Sequence, residues 1–466
     1  MGAIIRRELL DHLQSLHLVV LLCVSLVLFA ADGMIFARRY VDQTARHTRH
    51  TSDRSALAST VRTTLYTEPG AFLFLSAAGD SRQPTSYSLA PASRPVPALF
   101  ESGNARLPEI PETDWAFIIK IVFSLYVVLL GFDAVSGEKE QGTLRQALSH
   151  PIGRLQLLGA KFLAILLSAL VPLLVGMLVS LVLLSWSVPA LFAPEAVGRI
   201  LVFLLLSILY LSVFALISLT TSSLIHDSSL VLLTVLVAWV LFAIIIPNTS
   251  GVVVDWLEKA PSEYSIAKQL GPATQQNMQS GFKAITDRVD RGELTTETQV
   301  QQEYNQLCTT LQADIKKVYE TYDNALTQRS SLARTLSRVS PTALFQYASE
   351  GIAGTGTPRE EKTIRNLREF SGIYDAYVLK KVGTLVGTTN WSFAATLEVG
   401  GKPVRIRSPY PVEYQGDKSD FPQFVQQKAS VLEGIRDALQ DSLGLIAWNI
   451  VLALGAAWAI VRSDVR

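Results

Sequence analysis

The apolar residues of this chain are gathered in long uncharged blocks rather than spread at the period of a surface helix or strand. Four blocks, at 162–193, 200–225, 228–254 and 442–461, contain no charged side chain. About 20 apolar residues suffice to cross ~30 Å of hydrocarbon, where a helix satisfies its own backbone hydrogen bonds. We therefore predict that each block is a membrane-spanning helix, since a buried helix of a soluble protein rarely stays uncharged for so long.

Two further blocks contain one charged residue each. The block at 17–37 holds Asp32 near its far end, and the block at 115–132 holds Lys120 close enough to one end to reach the interface. The first block is too long for a signal peptide, and no clear cleavage site follows it. We interpret Asp32 and Lys120 as interfacial residues. The prediction is six spans, with both termini on one side.

The predicted fold class is an all-α membrane protein with six transmembrane helices and two large insertions, mostly helical with a small β-hairpin component. The predicted spans are 18–37, 115–133, 162–186, 200–221, 230–250 and 442–461. The predicted insertions are 38–114 and 251–441. An amphipathic N-terminal helix at 1–17, a linker at 134–161 and a tail at 462–466 complete the chain.

Basic residues in the short segments on the side of the termini favour a cytoplasmic location for both termini. Arg38 and Arg39, just after the first span, argue for the opposite orientation. Long domains are translocated largely regardless of charge, so the short segments carry more weight.

The larger insertion has recognisable local patterns. Apolar residues at steps of three and four from Val300 to Leu326 predict one face of a long helix. Further helices are predicted at 360–381 and at 421–439, the latter leading into the sixth span. The central Gly-Gly of 388–407 predicts a hairpin.

Composition and motifs exclude several classes of function. Charged residues make up only 17% and the net charge is +1, so we expect no nucleic-acid partner. Two cysteines, Cys23 and Cys308, exclude a disulfide framework and a multi-thiolate metal site. His47 and His50 form an HxxH pair that could bind a metal, but on a polar helix we favour a solvated pair. We predict no catalytic, cofactor-binding or metal-binding residue.

The sequence also lacks the motifs of hydrolases and nucleotide-binding loops. GxxxxGK[ST], HExxH and GxSxG do not occur. The chain is therefore not its own P-loop ATPase and we expect it to hold no cofactor, so any energy for transport would come from a partner. Spans three to six contain no ionisable group at membrane depth, which argues against a proton relay or an intramembrane enzyme.

The stretch 132–162, FDAVSGEKEQGTLRQALSHPIGRLQLLGAKF, is the most informative. A short amphipathic helix is predicted at 144–148, His150-Pro151 ends it, and 154–161 leads back into the membrane. Held rigidly between two spans, such a segment can transmit a push from a cytoplasmic protein. An ordinary charged interfacial loop explains the same pattern equally well.

The motifs of this stretch resemble those of type-2 ABC exporter permeases. The similar features are Gly137-Glu138, Gly142-Thr143-Leu144, the Leu-Ser-x-Pro-x-x-Arg turn at 148–154, Gly159-Ala160-Lys161, Arg6-Arg7-Glu8-Leu9 before the first span, and the turn at 218–229. The long insertions resemble the branch grouped with the permease of the nitrous oxide reductase copper maturation transporter. Within it, 338–344 followed by 351–356 is similar to members with a large domain before the last span.

The resemblance implies a homo- or heterodimeric permease in the bacterial inner membrane, with a separate nucleotide-binding ATPase subunit and contact with membrane lipid. It implies cytoplasmic termini and periplasmic insertions. The residues expected to couple to the ATPase are Asp133, Glu138, Glu140, Gly142, Thr143, Leu144, Arg145, Ser149, Pro151 and Arg154.

Two functional hypotheses follow. The first is the permease subunit of an ABC transporter, which exports an amphipathic or lipid-like substrate or performs mechanical work on a periplasmic protein partner. The alternative is a membrane-anchored scaffold or receptor that binds a periplasmic partner without transport.

Overall fold

The structure is a computed structural model that describes residues 2–52, 63–77, 83–91, 93–97, 113–143, 153–257, 262–382, 395–399, 401–406 and 419–462. The first half of the chain forms α1 (Gly2–Leu13), α2 (Leu16–Ser52), α3 (115–131), α4 (Ser136–Glu140), α5 (Arg154–Ser185), α6 (Pro194–Leu224) and α7 (228–257). The second half forms α8 (Glu263–Asp290), α9 (Glu297–Ser337), α10 (Pro341–Ala353), α11 (Gly356–Val382) and α12 (Val431–Arg462).

Six of these helices, α2, α3, α5, α6, α7 and α12, are apolar enough to cross a membrane, and each lies in a helical segment of sufficient length. The predicted all-α membrane fold with six spans is therefore confirmed. We call the side that holds α1 and the C-terminal end of α12 the terminal side, and the opposite side the distal side.

The strands form two small antiparallel sheets. β1 (Thr63–Tyr66), β2 (Ser86–Leu89) and β3 (Val96–Pro97) form the first sheet. β4 (Ala395–Val399) and β5 (Lys402–Ile406) form the second, with Val399 opposite Lys402. The hairpin predicted at 388–407 is confirmed in its described strands. Gly401 permits its turn, because its φ of +77° is a conformation that other residues rarely adopt.

Two helices differ from the predictions. A span at 18–37 and a separate helical stretch at about 41–62 were expected, whereas α2 continues from the span without a break to Ser52. The helix predicted at 421–439 is wrong in its first part, since 421–430 is not helical. Ser430 explains the later start. Its Oγ accepts a hydrogen bond from the Glu433 backbone N–H at 3.2 Å, and its own N–H donates to Glu433 Oε2 at 3.1 Å, as in a capping box.

Small residues bring α2 and α5 close together. A Cβ atom added to Gly176 would lie 2.4 Å from the Phe29 ring, and one added to Gly33 would lie 3.0 Å from Ser180 Oγ. Such close approach is typical of membrane helices, whose association depends on packing rather than on the exclusion of water.

Aromatic side chains join the spans to the first insertion. Trp115, at the distal start of α3, packs edge-on against Phe29 at 5.6 Å and against Phe74 at 5.0 Å between ring centroids. Its indole N–H donates to Ser180 Oγ at 3.1 Å. Phe74 belongs to the turn after β1, so this turn is anchored on the distal ends of α2, α3 and α5.

Two spans widen into π-helical stretches, Ile118–Phe123 in α3 and Leu241–Ile245 in α7. A wider turn leaves backbone groups open to side chains from neighbouring helices. Ser340, which caps the N-terminus of α10, donates from its hydroxyl to the Phe242 carbonyl. The start of α10 is therefore fixed to α7.

Helix α10 lies against the distal parts of α6 and α12. Tyr210 of α6 donates to the Lys120 carbonyl at 2.9 Å and bonds to the Thr342 hydroxyl at 3.1 Å. A Cβ atom added to Gly434 of α12 would lie 2.7 Å from the Gly351 carbonyl oxygen. Backbone therefore packs on backbone where α10 meets α12.

The remainder of the large insertion forms a separate apolar cluster. α8 and α9 pack along each other, and the β4–β5 hairpin covers them. The predicted apolar face of α9 is buried in its first part, at Val300, Tyr304 and Leu311, whereas Val318 and Leu326 of the predicted face are exposed. Cys308 packs in this core.

Candidate functional site

The predicted coupling segment leaves α3 near Asp133 and rejoins the membrane at Arg154. The structure describes Asp133, Glu138, Glu140, Gly142, Thr143 and Arg154. The short helix predicted at 144–148 lies outside the described residues, as do Leu144, Arg145, Ser149 and Pro151. Contacts of these four residues with an ATPase remain a prediction.

Gly142 turns the chain out of α4. Its φ is +70°, and its N–H donates to the Lys139 carbonyl at 3.2 Å. A left-handed residue that closes the last turn of a helix is most often glycine, which has no Cβ penalty there. Gly142 and Thr143 are both exposed, so the described part of the segment ends facing solvent.

Lys161 is the electrostatic centre of this region. Its side chain is only 3% exposed, and its ammonium group donates to Glu8 Oε1 of α1 and to Glu138 Oε1 of α4, each at 2.8 Å. A buried ammonium group is costly to desolvate unless opposite charges and hydrogen bonds compensate it. Two carboxylates supply that compensation, so three separate chain segments meet at one ion triad.

Helix α4 is also tied to the turn between α6 and α7. Ser222 Oγ accepts the backbone N–H groups of Val135 and Ser136 at 3.0 and 2.9 Å. Ser228 Oγ donates to Ser136 Oγ at 3.2 Å. Buried backbone donors are therefore satisfied by serine hydroxyls of a different loop, which fixes α4 beside that loop.

The charged residues of α4 strengthen this attachment. Lys139 donates to the Ser223 carbonyl near the C-terminal end of α6, where a cation is favoured by the helix dipole. Glu140 Oε1 accepts the Ser228 backbone N–H at 2.7 Å at the start of α7, where an anion is favoured. Glu138 and Glu140, expected to meet charges on the ATPase, thus each have a partner within this chain.

Asp133 is exposed at the end of α3 and acts electrostatically on His12 of α1. Burial lowers the pKa of His12, and the neighbouring Glu8 and Asp133 carboxylates oppose that shift. His12 is therefore mostly neutral near pH 7. Asp133 of the predicted coupling segment therefore lies close enough to α1 to influence the pKa of His12.

Arg154 connects the other end of the segment to the last span. Its guanidinium donates to the carbonyl oxygens of Ile460 and Val461 at 3.3 and 2.8 Å. These are among the last carbonyls of α12, which lack partners within their own helix. A cation there also interacts favourably with the helix dipole. Arg154 therefore links the start of α5 to the end of α12.

The structure changes the interpretation of the ionisable residues in the first two spans. Asp32 is 5% exposed, so its side chain is buried within the protein, and its interfacial depth stays a prediction. Lys120 donates to Gln346 Oε1 of α10 at 2.8 Å, so a helix of the large insertion covers it. Sequence reasoning missed this cover because the two residues lie 226 positions apart and leave no periodic signal in one sequence.

The histidine pair is split between two environments. The His50 ring stacks on Tyr66 with a centroid distance of 4.4 Å, whereas His47 faces a cavity on the distal side. In the described part of the chain, no group of three or more His, Cys, Asp or Glu side chains is arranged to hold a metal ion.

Sequence reasoning singled out the predicted coupling segment but missed the partners that hold its described part. Glu8 and Lys161 were noticed only within family motifs, and Ser222 only as part of a turn. An ion pair between residues 153 positions apart leaves no periodic signal in one sequence. The only available hint was that Glu8, Glu138 and Lys161 each stand at the terminal side of a span.

Comparison with known proteins agrees with this architecture. Residues 3–398 match the profile of the ABC-2 family transporter proteins. No curated protein matched the chain. The matched region covers most of the chain and includes the coupling segment, the ion triad and five of the six spans. The chain therefore belongs to the ABC-2 family transporter proteins and is a transmembrane permease subunit of an ABC transporter.

Proposed function

We propose that this permease receives ATP-driven movement at Asp133–Arg154 and passes it to the spans through the Lys161 ion triad. The observation that carries the proposal is the joining of α1, α4 and α5 by one buried ammonium group. Because separating any member would leave a poorly solvated charge, the three segments are expected to move as one body.

The other contacts extend this body across the terminal side. The Ser136–Ser222 contact adds the turn between α6 and α7, and Arg154 adds the end of α12. A force applied to the exposed end of the segment, near Gly142, would therefore reach all these helices without passing through a flexible loop.

The family implies an ATP-binding subunit and dimerisation. We place ATP and Mg²⁺ in that subunit, and the termini and the coupling segment in the cytoplasm of a bacterial inner membrane. The insertions then lie in the periplasm. The second permease is a copy of this chain or a related one.

Two uses of the movement fit this arrangement. The spans open a path for an amphipathic or lipid-like substrate, or the large distal domains transmit the movement to a periplasmic protein. A charged cavity adjoins the distal ends of α2, α6 and α12, so both uses would involve the distal side of the chain.

The experiment compares Lys161→Met with the neutral triad Glu8→Gln/Glu138→Gln/Lys161→Met in complex with the ATPase. Lys161→Met leaves two carboxylates facing each other and should destabilise the chain by about 3 kcal/mol. The neutral triad should fold and bind the ATPase, but with reduced ATP turnover because the charges no longer hold the segments together.

Asp11→Asn, an exposed acid on the same helix α1, is the matched control. It should leave ATP turnover unchanged. Full ATP turnover and substrate-dependent stimulation in the neutral triad would show that the ion triad takes no part in coupling.

A further inference from the structure

A large cavity opens on the distal side, away from the coupling segment. Its volume is about 1020 Å³. Its walls come from the distal part of α2, the turn after β1, the start of α6, the end of α9, the start of α11 and the start of α12. The cavity therefore lies where membrane helices meet the two insertions.

Two exposed aromatic residues indicate its depth relative to the membrane. Trp186 and Phe192, on the connection from α5 to α6, are 91% and 75% exposed. Tryptophan is enriched at the membrane–water interface, where its ring lies at the level of the headgroups. Ala190 and Ala193 of the same connection line the cavity. We therefore expect this wall of the cavity to lie at headgroup depth.

The cavity has a basic excess. Eight of its lining residues are arginine or lysine, against five carboxylates. Lys428 pairs with Glu68 at 2.6 Å, and Lys362 pairs with Glu433 at 2.8 Å. Arg338 pairs with Asp441, which does not line the cavity, at 2.6 Å, so a smaller basic excess remains in the lining.

Arg199 is a buried cation without a carboxylate partner. It is 3% exposed, and its guanidinium donates to the carbonyl oxygens of Ile352 and Ala429 and stacks over Phe72. Its Nε has no hydrogen-bond partner among the described residues, and Glu195 and Glu433 act on the guanidinium electrostatically without forming an ion pair with it there. A buried guanidinium with an unused donor is an arrangement that suits an anionic ligand.

Two more residues with buried, unpaired nitrogens line the same cavity. The Nε of Arg334 and both ring nitrogens of His47 are buried without a hydrogen-bond partner among the described residues. The nearest carboxylate to Arg334 is Glu350, at 4.0 Å. Burial raises the pKa of Glu350 to about 7, so this carboxylate is only partly charged at neutral pH.

We infer that this cavity binds the phosphate-bearing headgroup of an anionic amphiphile that enters from the distal leaflet, with Arg199 and Arg334 facing the phosphate. Arginine suits phosphate because its planar fork donates two parallel hydrogen bonds. Basic pockets between membrane helices can bind the headgroups of anionic lipids, as they do on the cytoplasmic side of other membranes. Binding here needs no ATPase, so the inference goes beyond the proposed coupling role.

The test measures the dissociation constant of fluorescent phosphatidylglycerol for the full-length chain in neutral detergent. Arg199→Gln and Arg334→Gln remove the proposed phosphate donors. Since both are partly or fully buried and their loss could disturb folding, the double variant Arg365→Gln/Arg436→Gln removes two exposed basic residues of the same lining. The matched control is Arg368→Gln, 59% exposed on α11 and outside the cavity.

Each cavity variant should weaken lipid binding by about tenfold, which corresponds to about 1.4 kcal/mol, and Arg368→Gln should leave it unchanged. Phosphatidylcholine, which has no net charge, should compete poorly. Equal lipid affinity in all variants would overturn the inference. Displacement of the lipid by inorganic phosphate would assign the site to free phosphate instead, and displacement by a glutamate-rich peptide would assign it to an acidic protein segment. Either result would also overturn the inference.

Discussion

Lys161 and Glu8 lie 153 positions apart in the chain, and their side chains form an ion pair of 2.8 Å on the terminal side of the spans. Because Lys161 also binds Glu138 at the same distance, the N-terminal helix and the coupling segment share one buried partner. The helix before the first span is therefore part of the proposed coupling machinery rather than a simple membrane anchor.

The contact between α10 and α12 gives a stability prediction. Gly351→Ala should destabilise the chain by about 1–3 kcal/mol, because the new methyl group would lie 2.9 Å from the Ala438 backbone nitrogen, and backbone cannot move aside easily. Gly372→Ala in α11 is the control, since no atom outside its own helix lies within 4 Å of its added Cβ. It should stabilise the chain slightly through helix propensity. Thermal unfolding in detergent measures both, and equal stability of the two variants would contradict the described packing.

Glu350 gives a prediction of pH dependence. Burial raises its pKa from 4.5 to about 7, so between these values the folded chain binds a proton that the unfolded chain has lost. Ionisation of Glu350 therefore lowers the free energy of unfolding as pH rises from about 4.5 to about 7. Above that range the penalty is constant.

Replacing Glu350 by Gln removes that contribution. The unfolding temperature of Glu350→Gln minus that of the wild type should be larger at pH 8 than at pH 5. Glu369→Gln, an exposed acid on α11, should show no such trend. A difference between Glu350→Gln and wild type that does not vary with pH would mean that Glu350 stays charged throughout.

The six spans were predictable because a helix that crosses the hydrocarbon of a membrane needs a long run of apolar residues. Charge-free stretches such as 200–225 have one physical explanation, and the helices form there. The hairpin and the apolar face of α9 were predictable for the same reason, since each has a local period or turn signal.

The tertiary placement was not predictable from one sequence. The cover of Lys120 by Gln346 and the pairing of Lys161 with Glu8 depend on how distant segments meet. The start of α12 at Val431 was missed, although Ser430 and Glu433 have the spacing of a capping box. In that case the signal was present in the sequence and was outweighed by the apolar residues before it.

Membrane orientation is tested by single cysteines in a background where Cys23 and Cys308 are replaced by serine. Ser280→Cys, exposed on α8, should react with an impermeant maleimide in intact spheroplasts, because the distal side is expected to face the periplasm. Thr143→Cys and Ser149→Cys should react only after lysis. Labelling of Thr143→Cys in intact spheroplasts would reverse the orientation and remove the coupling segment from the cytoplasm.

The central claim is that the segment between α3 and α5 binds the ATPase, and Leu144→Asp tests it most directly. Leu144 follows the exposed Thr143 and is expected to fill an apolar pocket on the ATPase, where truncation of an anchor typically costs about 2 kcal/mol or more. Val425→Asp places the same charge on an exposed apolar residue of the distal side and serves as the control. The measurement is the amount of ATPase that copurifies with each variant at matched permease expression. Loss of the ATPase in Leu144→Asp, with full retention in Val425→Asp, is the predicted result, and full retention in both would contradict the account.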